Sequence, residues 1–472
     1  MEYRSITPTV WAIHFRYGIG LPFFKPKKGV FFLNKLKTMS ESSFLKLFFA
    51  FFSACFIVGA FFMPDRANMI SGLWTILSNP GKITTNYFAL GGYAATFLNM
   101  GLVGVCCLLI FMVTKATVNN VSTFALVLTV GFASWGMNVI NIWPTVLGVV
   151  VYCLLKKEKL AANANAMIFS TGIAPLISDL LVRYPNAETI GFNLPGLIVT
   201  LIVGLFIGFL LPAGLAHAPK VHKGFDLYSA AVPVCLMAFF LNATLYKTMG
   251  IDLPAIGLGG DLTVASQSTV NIFCGVVFGL CVIFALAMGC KVKDYWQLLG
   301  AKDHVANVSG TLGREVFLMN VGIFGLFILA YYNLIGASFN SVTFGIIFCM
   351  LCTANSGSHP GNVWPIMLGY VAGSCLFGWL SGLAGGTFAM TINAQAIAIG
   401  LCFANGLSPV CSKYGWFWGA VSGLMHYVLV TSVPNMHGGF CVYNGGFTAA
   451  VICVLLIPVL ERFVKTRQEI AK

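Results

Sequence analysis

The chain has 472 residues, of which 58% are hydrophobic and only 9% are charged. A water-soluble domain carries roughly 25% charged residues, so this composition excludes a soluble globular protein. The net charge of +13 comes from cations that cluster between apolar segments, at Lys25–Lys28, Lys156–Lys159 and Lys291–Lys293. Such clusters are typical of cytoplasmic loops under the positive-inside rule, so we expect no nucleic-acid partner.

The N-terminal 38 residues are basic and weakly patterned, and a second methionine, Met39, follows them. They lack the apolar region and the cleavage site of a signal peptide. We interpret 1–38 as a basic cytoplasmic N-terminal arm, or as residues that lie upstream of a translation start at Met39.

Apolar runs follow one another along the rest of the chain. Because a transmembrane helix needs about 20 mainly apolar residues, these runs predict an all-α integral membrane protein with about 14 spans, some short or broken. The predicted spans are 45–63, 97–114, 121–138, 143–155, 162–181, 195–215, 227–246, 270–289, 315–335, 341–354, 363–381, 392–411, 414–432 and 445–461. We therefore expect a multi-pass protein of the cell membrane.

Four motifs of the first half return in the second half in the same order. The matched positions include Asn99 with Asn320, Trp143 with Trp364, Gly172 with Gly406, and His222 with His437. Their spacing stays between 215 and 234 residues, which indicates an internal duplication. We predict a first membrane repeat at 39–250, a linker at 251–269, a second membrane repeat at 270–462 and a basic cytoplasmic tail at 463–472.

Each half holds seven predicted spans, and an odd number makes the second half enter the membrane from the opposite side. The basic loops then fall on one side, with Arg66, Lys82, Arg183 and Lys247 as exceptions. The sequence thus predicts a 7+7 inverted repeat with both termini cytoplasmic, the architecture of secondary transporters.

The motif P-x-x-H-x-G-F-x-x-Y occurs twice, in "PKVHKGFDLY" from Pro219 and in "PNMHGGFCVY" from Pro434. Inversion places the two copies on opposite sides of the membrane, so one shared ligand pocket is disfavoured. We interpret both copies as structural corners in which an aromatic residue anchors the next helix.

Glycine and proline interrupt the third span of each half, in "SWGMNVINIWP" from Ser134 and in "NSGSHPGNVWP" from Asn355. Matched breaks in the two halves point to a substrate site near the bilayer midplane. The predicted substrate-binding residues are Ser134, Asn138, Asn141, Asn355, Ser356, Ser358, His359 and Asn362. The alternative is that these residues form ordinary loops at the membrane surface.

The fifth spans contain small and amide side chains before a G-x-x-P break, and a few ionisable residues lie elsewhere in the apolar runs. The secondary candidates for a functional role are Asn163, Asn165, Ser170, Thr171, Asn405, His426 and Asp261. Helix packing is the more common role of such residues, and a solvated linker acid is the more common role of a residue such as Asp261. Asp179 and Lys413 occupy matched positions at span ends, where we expect each to reach water.

With these repeats, the W-P and H-x-G-F-x-x-Y blocks give the chain a resemblance to an uncharacterised family of internally duplicated polytopic membrane proteins, found mainly in Gram-positive bacteria. The resemblance implies no activity. The layout is also similar to that of nucleobase and anion transporters, in architecture only.

The function predicted is a secondary transporter or facilitator of a small neutral or anionic polar solute, by alternating access at a midplane site between inverted repeats. Broken-helix N-termini and the scarcity of intramembrane acids favour such a solute. The alternatives are a passive small-solute channel and a membrane-embedded enzyme that acts on a lipid-linked substrate.

The chain shows no nucleotide-binding, nucleophile-elbow or H-E-x-x-H motif, which argues against an enzyme. We expect no cofactor and no metal. The expected partners are a small-molecule solute and the lipid bilayer, while a coupling ion and a homo-oligomer stay open.

Overall fold

The computed structural model describes residues 35–185, 190–253 and 263–472, and within these ranges all regular structure is helical. Nine helical stretches of the described chain are long and apolar enough to cross a membrane. They are Glu41–Phe61, Tyr93–Val113, Leu160–Val182, Leu194–His222, Ser266–Ala287, Arg314–Leu334, Pro360–Leu383, Gln395–Tyr414 and Asn444–Ile470. The chain is therefore an all-α protein with the helices of a multi-pass membrane protein.

The α-helices are numbered here in chain order. They are α1 (Glu41–Phe61), α2 (Met69–Leu77), α3 (Tyr87–Gly91), α4 (Tyr93–Val113), α5 (Asn120–Phe132), α6 (Trp143–Lys156), α7 (Ala164–Phe169), α8 (Ala174–Val182), α9 (Leu194–His222), α10 (Ala231–Asn242), α11 (Thr263–Ala287), α12 (Val292–Leu299), α13 (Val308–Thr311), α14 (Arg314–Leu334), α15 (Ser341–Leu351), α16 (Pro360–Leu383), α17 (Gln395–Ala404), α18 (Ser408–Tyr414), α19 (Trp416–Leu429), α20 (Asn444–Phe463) and α21 (Arg467–Ile470).

Further apolar helices of 10–17 residues lie between the long ones, at Asn120–Phe132, Trp143–Lys156, Ala231–Lys247 and Ser341–Ser356. They correspond to predicted spans, but a straight crossing needs about 20 residues. The number of crossings therefore stays a prediction.

The helices of the two halves pack in matching pairs. Helix α1 packs against α4 as α11 packs against α14, and α6 packs against α9 as α16 packs against α19. Glycines at matched positions permit the close approach. A side-chain carbon at Gly101 would lie 2.5 Å from Ile57, and one at Gly322 would lie 2.5 Å from Val282. Small residues at helix crossings are the usual means of packing helices within a membrane.

Phenylalanine side chains join the two halves across the centre. The ring centroids of Phe56 and Phe348 are 5.1 Å apart, and those of Phe97 and Phe344 are 4.8 Å apart. Rings at these distances contribute about 0.5–1.5 kcal/mol per pair beyond their burial. The aromatic contacts thus tie α1 and α4 of one half to α15 of the other.

The stretches 160–182 and 395–414 lie at the centre of the bundle. In the most apolar 18 residues of each stretch, 94% and 89% are buried within the protein, whereas the value is 28–67% for the other seven stretches. Each is interrupted by a 3₁₀ turn, Ser170–Ile173 in the first and Asn405–Leu407 in the second. A proline follows each turn, and proline removes a backbone donor and blocks the regular helix before it. The predicted breaks in the fifth spans are therefore present.

Candidate functional site

Helices α5 and α15, which begin the third span of each half, pack side by side in opposite directions. The hydroxyl of Ser134, just beyond the end of α5, donates to the carbonyl of Ser341 at the start of α15, at 2.7 Å. At the other end, the amide of Asn355 donates to Thr123 Oγ1 at 3.2 Å. The end of each helix therefore meets the start of the other.

The residues predicted to bind substrate fall into two clusters for this reason. The first contains Ser134, Asn138 and Asn141, and the second contains Asn355, Ser356, Ser358, His359 and Asn362. All eight are buried inside the protein rather than exposed in surface loops. The 11 residues of α15 separate the clusters by about 16 Å along the helix axis. The structure does not bring all eight residues into one site.

The side chain of Asn141 holds the first cluster together. Its Oδ1 accepts a hydrogen bond from the backbone N–H of Asn138 at 2.8 Å. Its Nδ2 donates to the carbonyl of Gly136 at 3.0 Å and to the hydroxyl of Ser178 at 2.9 Å. One amide thus closes the turn after α5 and fastens this turn to α8.

Asn362 makes the corresponding bonds in the second cluster. Its Oδ1 accepts from the backbone N–H of His359 at 2.9 Å, and its Nδ2 donates to Gly357 O at 2.9 Å and to Ser412 Oγ at 3.1 Å. The two turns therefore have the same hydrogen bonding although their sequences share few residues.

A second matched amide supports each turn from the neighbouring helix. Asn99 on α4 donates to the carbonyls of Ala133 and Met137 at 2.7 and 2.9 Å. Asn320 on α14 makes the equivalent bonds at 3.0 and 2.8 Å. Backbone carbonyls freed by the helix break are satisfied in this way, which a buried break in a membrane protein requires.

We expect Asn141→Ala to lower the free energy of unfolding by about 1–3 kcal/mol, because it leaves buried backbone groups without partners. Asn68→Ala is the matched control, since Asn68 is exposed and caps no helix with its side chain. The thermal unfolding midpoint of the purified protein in detergent measures both effects. Equal midpoints for the two variants would contradict the structural role of Asn141.

His359 caps the N-terminus of α16 and is electrically neutral. Its Nδ1 accepts a hydrogen bond from the backbone N–H of Gly361 at 3.1 Å. Burial, together with the nearby His304 and Arg467, lowers the pKa of His359 to about 3. A neutral, bonded imidazole serves as a cap, and this arrangement disfavours an acid–base role for His359 near pH 7.

The secondary candidates in the central breaks are bonded within the protein. Ser170, Thr171 and Asn405 each donate to a backbone carbonyl, at 2.7, 2.7 and 2.8 Å. Such bonds are typical of helix packing as well as of a solute pathway. Asp261 lies outside the described residues.

The other secondary candidates differ in their surroundings. Asn163 donates to Glu158 at 2.8 Å, and His426 is buried with its Nδ1 2.6 Å from the hydroxyl of Tyr370. The side-chain oxygen of Asn165 is buried without a hydrogen-bond partner. His426 is thus held between helices, as the packing alternative for this residue predicts.

A charged group that the sequence analysis placed at a span end lies directly beside the first cluster. Asp179 follows Ser178 on α8 and is fully buried, and Arg183 is only 4% exposed. Arg183 Nε and Nη2 donate to the two carboxylate oxygens of Asp179 at 2.6 and 2.9 Å, and the hydroxyl of Tyr246 donates to the same carboxylate. The half-buried Lys82 is also close, and we call these four residues the Asp179 cluster.

Lys82 adds a second cation to this cluster. Burial lowers the pKa of Lys82. The nearby carboxylate of Asp179 acts against this decrease, and the nearby guanidinium of Arg183 adds to it. Its ammonium lies 5.7 Å from the ring centroid of Phe440. In the described parts of the chain no acid lies within 4.0 Å of this ammonium. The cluster therefore has two cations and one carboxylate.

Four chain segments converge where the first cluster meets the Asp179 cluster. A side-chain carbon at Gly136 would lie 3.1 Å from Pro175 and 3.0 Å from Val442, and one at Gly81 would lie 4.0 Å from Gly136 O. The loop before α3, the turn after α5, the break in 160–182 and the loop before α20 thus share one site. A guanidinium and an ammonium at such a site can bind an anionic group.

The matched end of the second half also carries lysines. Lys413 occupies the position equivalent to Asp179, and its ammonium lies 5.1 Å from the ring centroid of Phe225. A cavity of about 170 Å³ there is lined by Lys413, Lys223 and His304, with Asp303 as its acid. Lys223 is paired with Glu461 at 2.5 Å, so an excess of cations over acids is present only at the Asp179 cluster, as far as the described residues show.

The expectation that Asp179 reaches water is wrong, because Arg183 and Tyr246 enclose it. Two signals in the sequence pointed to this cluster. Asp179 and Arg183 are four residues apart, the spacing of an ion pair on one helix face. Lys82 and Arg183 are also two of the four exceptions to the basic-loop pattern, and an exception of this kind marks a cation with a local partner or role.

Comparisons with known proteins show an uncharacterised family. The family described as "Protein of unknown function (DUF1576)" matches residues 65–247 and 291–462. The chain is similar to "Uncharacterized protein YhfT" of Escherichia coli (strain K12), with 32% identity over 95 residues, 20% of this chain and 22% of the relative. No solved structure matches the chain. The predicted resemblance to an uncharacterised family is confirmed, while the matches carry no information on a Gram-positive distribution.

Proposed function

This chain belongs to the family of unknown function that matches both of its halves, and we propose that it is a secondary transporter or facilitator of a small polar solute. We infer a duplicated layout of about 14 spans, seven per half, with inverted topology in the cell membrane and cytoplasmic termini. The repeated amide bonds of Asn141 and Asn362 support the duplication. The opposite directions of α5 and α15 support the inversion, since equivalent helices of inverted repeats run antiparallel.

The main support for transport is the pair of broken helices at the centre of the bundle. Irregular backbone at membrane depth occurs where it is enclosed by protein or lines a water-filled cavity. Breaks at matched places in two inverted halves are characteristic of transporters, in which one bundle moves against the other around the breaks. The turns Ser170–Ile173 and Asn405–Leu407 fit this description.

The charges favour an anionic solute over a neutral one. Lys82 and Arg183 outnumber Asp179 at one end, and Lys82 has no acid within 4.0 Å among the described residues. At the other end Lys223 is already paired with Glu461. A cation without a bound carboxylate attracts anions and contributes to their capture. We propose that the Asp179 cluster receives the anionic group of the solute at its end of the protein.

Uptake into proteoliposomes tests this function. Purified protein is reconstituted, and labelled monocarboxylates, dicarboxylates, phosphate, amino acids, nucleobases and polyols are offered under sodium, proton and potential gradients. We expect saturable uptake of at least one anion above empty vesicles. Flux that never saturates and ignores the gradients would support a channel instead, and no flux across the panel would overturn the proposal.

We expect Lys82→Gln to raise the KM for a transported anion about tenfold or more, since a hydrogen bond to a charged group contributes about 1.5–3 kcal/mol. Lys247→Gln is the matched control, because Lys247 is an exposed cation that follows Tyr246 directly. Initial uptake rates over a range of anion concentrations give KM for each variant. An unchanged KM in Lys82→Gln would exclude Lys82 from anion recognition.

A further inference from the structure

Asp226 is a buried carboxylic acid that lies against the broken central helix of the other half. It belongs to the segment 223–230 between α9 and α10 and is only 2% exposed. The next residue, Leu227, donates its backbone N–H to the carbonyl of Gly406 at 3.1 Å. A side-chain carbon at Gly406 would lie 2.8 Å from Asp226 Oδ1. The acid therefore touches the break Asn405–Leu407 itself.

One carboxyl oxygen of Asp226 is bonded and the other is not. Oδ1 accepts from the backbone N–H of Tyr228 at 2.8 Å, whereas Oδ2 is buried and has no hydrogen-bond partner among the residues that the structure describes. The nearest histidine is not its counter-ion. Nδ1 of His222 accepts the backbone N–H of Asp226 at 3.3 Å, and Nε2 pairs with Ser229 Oγ at 2.9 Å. An imidazole whose Nδ1 accepts a hydrogen bond is neutral.

The other ionisable groups around Asp226 do not compensate a negative charge either. Cys453 faces it from α20. Lys223 forms an ion pair with Glu461 at 2.5 Å, and the ammonium of Lys413 lies over an aromatic ring. Within the described chain no cation is at ion-pair distance from Asp226. An ionised carboxylate in this position would be buried and uncompensated, which is strongly unfavourable.

We propose that Asp226 is a proton-binding site and that the proton it carries is the coupling ion of transport. The proposal rests on the transport function proposed above. In the proposed cycle, Asp226 carries the proton on Oδ2 while this end of the protein is closed, and it releases the proton to water when this end opens. On closure, a proton from water returns to Oδ2. Burial supports this assignment, since it raises the pKa of Asp226 to about 7.

The segment that carries Asp226 connects its charge state to the central break. The hydroxyl of Tyr228 lies 2.8 Å from the carbonyl of Cys349, 2.9 Å from Asn405 Oδ1 and 3.2 Å from the carbonyl of Cys402, and these acceptors share its one proton. A carboxylate that recruits water would displace this segment and with it the contacts that hold the break. The matched residue in the second half is Cys441, so only one end of the protein has an acid at this position.

Infrared titration of the reconstituted protein tests the proton site without any solute. We expect a protonated-carboxyl band that disappears with a midpoint near pH 7 in the wild type and in Asp252→Asn, an exposed control acid. The band should be absent from Asp226→Asn and from Asp226→Cys, which carries the residue of the matched position. A band that persists in both variants, or no titrating band in the wild type, overturns the proposal.

The stability of Asp226→Asn gives a second readout with a definite sign. Between the ordinary pKa of 3.8 and about 7, the unfolded carboxyl ionises while the folded one stays protonated. The wild type therefore loses stability as pH rises through this window, and asparagine does not. The difference obtained by subtracting the wild-type unfolding midpoint from that of Asp226→Asn should therefore rise with pH, from its lowest value near pH 4 to its highest value above pH 7. A gap independent of pH contradicts a buried titrating acid.

Coupling is tested with any solute that the uptake panel identifies. A proton gradient should accelerate wild-type uptake several-fold and leave Asp226→Asn unaffected, while solute exchange without a gradient persists in the variant. Equal acceleration in both overturns the coupling role. Wild-type uptake that ignores the gradient also overturns coupling and leaves transport intact. A titrating band with no transported solute overturns the transport function and leaves the proton site intact.

Discussion

Arg183→Ala is expected to lower the free energy of unfolding by about 3–5 kcal/mol, because it leaves a buried charge without its partner. The carboxylate of Asp179 has no exposed surface, and Arg183 supplies two of the hydrogen bonds it accepts. After the substitution no cation of the described chain lies within 4.0 Å of this carboxylate, since Lys82 is beyond ion-pair distance. A loss of this size is comparable to the whole stability of many single domains.

Further variants distinguish two effects of Arg183→Ala on stability, the uncompensated charge of Asp179 and the loss of the packing of the arginine side chain. Asp179→Asn combined with Arg183→Gln removes both charges, so we expect it to cost less than Arg183→Ala alone. Lys223→Ala is the matched control, because its ion pair with Glu461 is as short but 53% and 41% exposed. Exposed pairs contribute about 0–1 kcal/mol.

Unfolding of the purified protein by increasing sodium dodecyl sulfate, followed by intrinsic fluorescence, measures all of these variants. With the single variants Asp179→Asn and Arg183→Gln added, the double variant completes a mutant cycle that gives the interaction free energy between Asp179 and Arg183. If Arg183→Ala were no less stable than Lys223→Ala, the pair would not be a buried structural link between α8 and its surroundings.

The helical elements of this fold could be predicted from the sequence because their signals are local. An apolar run of sufficient length predicts a helix without knowledge of its neighbours. The breaks at Pro175 and Pro409 were predictable for the same reason, since proline acts on the helix turn that contains it. The structure contains both breaks where the repeated G-x-x-P motif places them.

The composition of the predicted site could not be obtained in this way. Asn138 and His359 occupy matched positions in the two halves. For this reason the sequence analysis assigned them to one shared site. Equivalence between repeats gives no distance, however. Since α5 and α15 run in opposite directions, equivalent residues lie at opposite ends of the pair, and only contacts between halves reveal this.

The sequence did not predict the burial of Asp179 and Asp226. Asp179 depends on Tyr246, which comes from another helix and has no sequence relation to it. Asp226 lies within a repeated motif that we interpreted as a structural corner. The motif was defined by the residues that its two copies share, and Asp226 is not one of them. The informative feature was the difference, an acid where the second copy has Cys441.

The contact between α5 and α15 is expected to be intolerant of any side chain at Gly345. A side-chain carbon there would lie 2.1 Å from Ser134 Oγ, 2.3 Å from the ring of Trp135 and 2.4 Å from the carbonyl of Gly131. Two of these atoms are rigid, so the helices must separate. Gly131 on the facing helix is also tightly packed, since a carbon there would meet Cys349 Sγ at 2.5 Å.

We expect Gly345→Ala to destabilise the protein by about 1–3 kcal/mol and Gly345→Leu to prevent folding, since overpacking outweighs the helix-forming advantage of alanine over glycine. Gly279→Ala is the matched control. It lies in the helix α11 with open space around it, so the same replacement should be neutral or stabilising by up to about 1 kcal/mol. Unfolding midpoints in detergent compare the two alanine variants, and the yield of monodisperse protein reports on the leucine variant. Equal stability of Gly345→Ala and Gly279→Ala would show that α5 and α15 do not approach each other this closely. It would also contradict the packing of these helices from which the separation of the two polar clusters follows.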